Sequence, residues 1–339
     1  MRPPVALEQL SDEELLEQNI ARLGLKLEGT PLEPLVRRLY SELDAKGLIF
    51  HPPCHVGDEW FCPVGIPAIF IPFFLVHPRL RELERKQILE VEGEDEDWFM
   101  QLIRHEAGHA FSYAYRIQHK KKWQEHFGLA SKEESDTYRP RPYSRSFVTH
   151  LPDWYAQSHP DEDWAETFAV WLTPDLDWRK QYQGWKALRK LEYTDELMRS
   201  LAGKPPLVNP KYRVAEYNFL DLKLKSYYAR KRKAYAESFP DFYDADLRRM
   251  FAADPKSDET EWAGNYLRRR RRQIISSVAR WSSEHKFRID QLLRDITDRC
   301  DELELAVAPD DPNIDLQVAA YITALTMNNL FTGRFKRTK

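Results

Sequence analysis

The five residues His105-Glu106-Ala107-Gly108-His109 decide most of what this sequence predicts. In an α-helix, residues four positions apart lie one turn apart on the same face, so both imidazoles project in one direction. Two imidazoles in that arrangement can bind one zinc ion, and Glu106 can reach a water on the ion. Because so short a pattern also occurs by chance, its surroundings must support it.

The flanks of this motif predict a buried helix. Apolar side chains recur there with helical spacing, and they are Trp98, Leu102, Ile103, Ala110, Phe111 and Ala114. A metal site also needs a third ligand. Ser112 and Tyr115 stand where the extended motif of the metzincins needs Gly and His, which excludes that subclass.

A later helix, at residues 158–172, is the predicted source of the third ligand. Ser158 and Asp161 form a variant of a capping box, and Pro160 fits the first helical turn. Glu162 and Glu166 lie four apart and face the same way.

Two glutamates in this pattern most often form an exposed acidic face. Beside a zinc-binding helix, one carboxylate that binds the metal and a second that orients a histidine are a common pair. We predict Glu162 as the ligand in preference to Glu166. Glu166 then accepts a hydrogen bond from the free ring nitrogen of His105 or His109.

The first motif, followed by Glu162-x-x-x-Glu166, resembles the gluzincin metallopeptidases, and it is similar to lethal-factor-type zinc peptidases. The string from Trp154 to Leu172 also resembles a bacterial group of zinc-binding metallopeptidases of unassigned substrate. This likeness covers about residues 50–202. It implies a zincin-like domain in which a small mixed sheet lies above the metal helix, a Zn²⁺ cofactor, and a peptide or protein substrate.

The resemblance also implies roles for single residues. His105, His109 and Glu162 hold zinc and leave one position for water, while Glu106 is the general base. In the lethal-factor type, a tyrosine seven residues before the glutamate ligand faces the zinc, and Tyr155 stands at that position. We expect Tyr155 to donate a hydrogen bond to the developing oxyanion. His150 and His159 are alternative donors, although His159 is more typical of a helix cap.

The composition limits the class of protein. The chain has 339 residues, of which 42% are hydrophobic, enough for one large domain or two smaller ones. Its net charge of −3 weighs against nucleic-acid binding by bulk electrostatics. Five consecutive arginines, Arg268 to Arg272, could contact phosphate, although a solvated helical face is the more common use of such a run.

The compartment predicted from the sequence is the cytoplasm. No hydrophobic segment precedes the capping box at Ser11, so we expect no signal peptide. The longest apolar run, Ile66 to Val76, is too short to span a membrane. Three cysteines agree with a reducing compartment. Cys54 and Cys62 could form a disulfide, but two free thiols are favoured.

We predict an α+β fold with three regions: an N-terminal helical segment at 1–48, a zincin-like catalytic domain at 49–202, and a mainly helical C-terminal region at 206–339. The boundary rests on the Gly and Pro residues at 203–206. Residues 49–76 have β-like content. Within them, Ile69 to Leu75 is either an edge strand that pairs with substrate or a buried structural strand.

The predicted activity is zinc-dependent peptide hydrolysis. A basic segment that includes Lys120–Lys122 and Arg139–Pro142 is either a solvated loop or a border of the cleft that favours acidic substrates. The competing hypothesis is a zinc-containing binding or regulatory protein of the same fold without proteolytic activity. A third makes the C-terminal region a nucleic-acid or protein adaptor. The oligomeric state stays open.

Overall fold

The computed structural model describes residues 7–133, 141, 143–208, 220–235, 244–251, 261–307 and 311–332. Over these ranges the chain is mostly helical with two short β-sheets, which agrees with the α+β class. The helices are α1 Asp12–Leu16, α2 Leu32–Ala45, α3 Pro78–Ile88, α4 Glu96–Ala114, α5 Lys121–Phe127, α6 Pro160–Leu172, α7 Trp178–Gln181, α8 Leu188–Leu201, α9 Leu224–Tyr235, α10 Asp244–Met250, α11 Ala263–Ser282, α12 Lys286–Glu302 and α13 Ile314–Thr332. The strands are β1 Cys54–Gly57, β2 Ile69–Pro72, β3 Glu261–Trp262 and β4 Ala306–Val307.

The N-terminal helices form for local reasons that the sequence contains. In α1, the Ser11 side chain accepts from the Glu14 N–H while Glu14 accepts from the Ser11 N–H, which is the predicted capping box. In α2, the buried residues include Leu32, Val36 and Leu39, which recur at helical spacing on one face. That face packs against α4.

The small sheet next to α4 has mixed pairing around β2. Strand β1 pairs with β2 in parallel, from Cys54 opposite Ile69 to Gly57 opposite Pro72. Phe61 forms an antiparallel bridge to Phe70 along the other edge of β2. Since all four residues of β2 are buried and Phe61 bridges its other side at Phe70, the structure favours the buried structural strand over an edge strand that pairs with substrate. The strand is structural, and it ends at Pro72 because residues 73–76 form a 3₁₀ turn.

The chain divides into two compact units, and the division differs from the predicted one. Unit 1 comprises residues 1–87 and 91–227, and unit 2 comprises residues 88–90 and 228–339. The segment 1–48 is therefore not separate from 49–202, because α2 packs on α4. The boundary at 203–206 is also displaced, because the main chain of Leu220, Leu222 and Leu224 returns to hydrogen-bond with residues 18–21.

Unit 2 buries an apolar core between α11, α12 and α13. The predicted basic run lies on α11, and four of its arginines are engaged in ion pairs within this unit. Arg268, Arg269, Arg270 and Arg271 pair, in that order, with Asp301, Glu261, Asp315 and Asp290. These pairs are what a solvated, salt-bridged helical face requires.

Two further expectations concern membranes and cysteines. Among the residues that the structure describes, none of the helices is long and apolar enough to cross a membrane. Cys54, Cys62 and Cys300 are free thiols, which agrees with the two free thiols favoured for Cys54 and Cys62. Arg139, Pro140 and Pro142 of the basic segment lie outside the described residues.

Candidate metal centre

Helix α4 carries the first motif through the core of unit 1. Asp95 caps its N-terminus by accepting from the Trp98 N–H, and the side chains from Phe99 to Ala114, apart from Gln101, are buried. Gly108 brings α4 close to α6, because a Cβ atom at this position would lie 2.8 Å from the Cα of Ala165. Glycine at this position therefore permits the close approach of the α6 backbone.

Helix α6 begins as predicted, but with a different cap. His159 is the N-cap residue, and its Nδ1 accepts from the Asp161 N–H while its Nε2 lies 2.9 Å from the Lys132 carbonyl oxygen. Ser158 instead donates to the carbonyl oxygen of Tyr155, so the predicted Ser158 capping box is wrong. Pro160 occupies the first turn because its missing N–H needs no partner there.

The packing of α4 on α6 brings three donor atoms to one point. The Nε2 atoms of His105 and His109 are 3.1 Å apart, and Oε2 of Glu162 lies 3.0 Å from the first and 3.3 Å from the second. Ligands at about 2.0–2.1 Å from a tetrahedral zinc would lie roughly 3.3 Å from one another. All three residues are buried, and the group could hold a metal ion.

Glu166 lies behind this group and fixes one of its histidines. Its Oε1 is 2.9 Å from Nδ1 of His105, and its Oε2 accepts from the main-chain N–H of Leu151. A carboxylate at Nδ1 places the proton there and leaves Nε2 free to bind a metal. The geometry therefore gives Glu166 the orienting position and Glu162 the ligand position.

Glu106 points into the same buried region. Its side chain is 6% exposed, and its Oε2 has no hydrogen-bond partner among the described residues. A buried carboxylate oxygen without a partner is costly, so its presence asks for a functional explanation. A metal ion with its bound water would supply the missing partner.

The electrostatics of the metal-free site follow from this crowding. Burial opposes the charge of His105, but Glu162 and Glu166 hold its pKa well above the ordinary value. Burial would raise the pKa of Glu162, yet His109 and His105 hold it well below its usual range. Burial raises the pKa of Glu106 against the opposing effect of the histidines. A cation that bound to the two histidines would have to displace any proton from the ring nitrogens that bind it.

Of the three predicted oxyanion donors, Tyr155 lies next to one of the candidate ligand residues. Its ring centroid lies 5.7 Å from that of His105, and it is carried by the 3₁₀ turn Pro152–Gln157. His150 Nε2 instead lies 2.9 Å from the carbonyl oxygen of Gln101. His159 is the N-cap of α6, the role that the sequence favoured for it.

Several supports of the site were not predicted from the sequence. Arg104, directly before the motif, makes a bidentate ion pair with Glu42 of α2 at 2.7 Å from each oxygen, and both side chains are buried. Asp163, directly after Glu162, pairs with Lys190 of α8 at 2.5 Å. A polar residue inside an apolar helix is the only local signal for either pair, because the partners are distant in sequence.

Comparisons of the chain with protein-family models, with curated proteins and with solved structures found no match.

Proposed function

We propose that this protein is a zinc-dependent metallopeptidase of gluzincin type. The observation that carries the proposal is the convergence of His105, His109 and Glu162 beside a buried carboxylate oxygen of Glu106 that has no hydrogen-bond partner in the described part of the chain. A purely structural zinc site uses four protein ligands and has no need of such a base. Nitrogen and carboxylate donors in a three-residue set favour a catalytic zinc site with one open position.

The residues of this chain then have distinct roles. Zinc, when bound, polarises a carbonyl group and lowers the pKa of a coordinated water. Glu106 takes a proton from the attacking water and delivers it to the leaving nitrogen. Tyr155 donates a hydrogen bond to the carbonyl oxygen as negative charge develops there. Glu166 keeps His105 in the tautomer that binds the metal.

Peptide cleavage by the zinc-loaded protein tests the proposal. A diverse peptide mixture is incubated with wild type and with Glu106→Gln, and the products are identified by mass spectrometry. We expect Glu106→Gln to lose about 10²–10⁴-fold in rate while it still binds one zinc per chain. Glu96→Gln, the same change at an exposed position of α4, is the matched control and should cleave like wild type.

The role of Tyr155 has its own variant. Tyr155→Phe should lower the rate by about 10²–10³-fold and leave zinc content unchanged, because only the hydroxyl donor is removed. Loss of zinc or full activity in this variant would exclude the role.

A different result would select the competing function. If wild type cleaves nothing while it binds one zinc per chain, the peptidase proposal is wrong for this peptide set, and a zinc-dependent binding protein becomes the better account. Equal cleavage by wild type and Glu106→Gln would contradict the assignment of the base.

A further inference from the structure

A cavity of about 280 Å³ is lined in part by α4 and α6, the two helices that carry the candidate metal centre. Tyr113 and Asp161 both line it. Tyr113 follows His109 by one helical turn and stacks on its ring, with centroids 6.5 Å apart. Asp161 directly precedes Glu162 in the first turn of α6. Two residues of the cavity lining are therefore neighbours of ligand residues, Tyr113 through its ring contact with His109 and Asp161 through its place before Glu162.

The size of the cavity suits one side chain or chain terminus. Binding sites for whole small molecules occupy about 300–1,000 Å³, so this cavity is at or below the lower limit. A peptide bond held at the metal centre would place neighbouring groups of the substrate a few ångströms away. Because Tyr113 lines the cavity and stacks on His109, such a neighbouring group is the part of a substrate that the cavity could receive.

The lining combines apolar walls with a single formal charge. The side chains of Val64 and Ala130 and the ring of Tyr113 offer apolar surface, and amide and hydroxyl groups fill the remainder. With His119 counted as neutral, Asp161 is the one charged side chain among the described residues of the lining. Long basic side chains match this pattern, because they carry an apolar stem and a cationic head.

We infer that this cavity, resting on the proposed peptidase function, receives a cationic nitrogen group of the substrate next to the cleaved bond, with Asp161 as the specificity-determining residue. The group is a Lys or Arg side chain or the free amino terminus of the peptide. Asp161 pairs with the cation, and the Tyr113 ring forms the wall between the pocket and the metal centre. The protein is then selective for basic or amino-terminal substrates, in contrast to the acidic ones that a basic cleft border would favour.

The experiment compares matched peptides on the zinc-loaded full chain. Each peptide is made with Lys or with norleucine next to the cleaved bond, and with a free or an acetylated amino terminus. Loss of cleavage on the Lys-to-norleucine change identifies the side chain as the bound group, and loss on acetylation identifies the terminus. Asp161→Asn should lower kcat/KM for the preferred peptide by about 10- to 100-fold, the range expected when a hydrogen bond to a charged group is lost.

Three further measurements separate specificity from stability. Asp161→Glu keeps the charge and should retain the preference. Asp97→Asn makes the same change in the first turn of α4, at an exposed position outside the cavity lining, and should leave kcat/KM unchanged. On the peptide that lacks the cationic group, which is the norleucine or the acetylated peptide, wild type and Asp161→Asn should have equal kcat/KM.

The outcomes distinguish this inference from the proposed function. Cleavage by wild type without a preference for a cationic group, or a preference that Asp161→Asn keeps, would overturn the pocket and leave the peptidase standing. If no peptide is cleaved, calorimetric binding of the same peptides to zinc-loaded Glu106→Gln decides. Tighter binding of the cationic peptides that depends on Asp161 supports the pocket, and equal binding overturns it.

Discussion

Two helix pairs in this molecule use charge in opposite ways. In unit 1, the pair α4/α6 buries its ionisable groups, and His105, His109 and Glu162 face one another at 3.0–3.3 Å. In unit 2, the pair α11/α12 buries mainly aliphatic side chains, and its arginines reach outward to acidic partners at the surface. The buried Asp290 of α12 forms ion pairs with two arginines, Arg271 and Arg294.

The difference between the two helix pairs is the number of ionisable side chains that each one buries, and with it the desolvation cost in folding. Buried ionisable groups generally contribute less to folding than apolar residues of the same size, because removing a charge from water is costly. The pair α11/α12 avoids most of that cost, because Asp290 is the one acidic or basic residue among the buried residues that the structure describes in these two helices. The pair α4/α6 accepts it at the site where a metal and a substrate would be bound, and it surrounds the site with further buried ion pairs.

The largest expected effect on stability is that of Glu42→Ala. The substitution leaves Arg104 buried without its carboxylate, and removal of one partner of such a pair typically costs about 3–5 kcal/mol. Denaturant unfolding of the full chain, with peptide-resolved hydrogen exchange, should show the loss in α2 and α4. Asp301→Ala is the control, because its pair with Arg268 is exposed and such pairs contribute about 0–1 kcal/mol. Equal losses in the two variants would contradict the comparison.

Zinc should stabilise one helix pair and not the other. At a zinc concentration 100 times the Kd, binding to the folded site adds about 2.7 kcal/mol. Chelation should therefore accelerate hydrogen exchange in α4 and α6, while α11 and α12 in the same sample stay unchanged. His105→Ala should abolish the zinc effect. A zinc-dependent change in α11 or α12 that survives this substitution would place a metal elsewhere.

The smallest effects come from two helical glycines. Gly108→Ala should cost about 1–3 kcal/mol, because its Cβ meets the backbone of Ala165 and the helices must separate. Gly264→Ala in α11 meets only the end of the Asp301 side chain and the Arg268 guanidinium, which can move. Because Ala favours a helix over Gly by about 1 kcal/mol, we expect little loss or a small gain there. Thermal unfolding of both variants measures the contrast, and a larger loss at Gly264 would be evidence against it.

The candidate site was largely predictable because its pattern is local. A four-residue spacing fixes the direction of two side chains on a helix, so His105 with His109 and Glu162 with Glu166 could each be placed on one face in advance. The need of a metal-binding histidine for an oriented second nitrogen also suggested a carboxylate behind it, and Glu166 stands 2.9 Å from His105. The predicted capping residue of α6 was wrong because both Ser158 and His159 can cap a helix. The contact of His159 with the carbonyl oxygen of Lys132 involves a residue 27 positions away, which the local sequence does not indicate.

The predicted boundaries were less accurate for a related reason. Glycine and proline residues at 203–206 mark the end of a helix, but the end of a helix is not the end of a compact unit. Residues 220–224 return to hydrogen-bond with the start of the chain, and no local signal reports a contact across some 200 positions. For the strand Ile69–Pro72, the sequence left two interpretations open for the same reason, because a buried strand and an edge strand can have the same sequence pattern.

By itself the sequence determined the two motif helices, the spacing of their histidines and glutamates, and the general α+β class, because periodicity and capping act within a few residues. Only the tertiary structure decided that the motifs meet, with Gly108 against Ala165, that Arg104 is neutralised by Glu42, and that Tyr113 and Asp161 line one cavity. These depend on which surfaces pack together, and packing is a property of the whole chain that short segments do not encode.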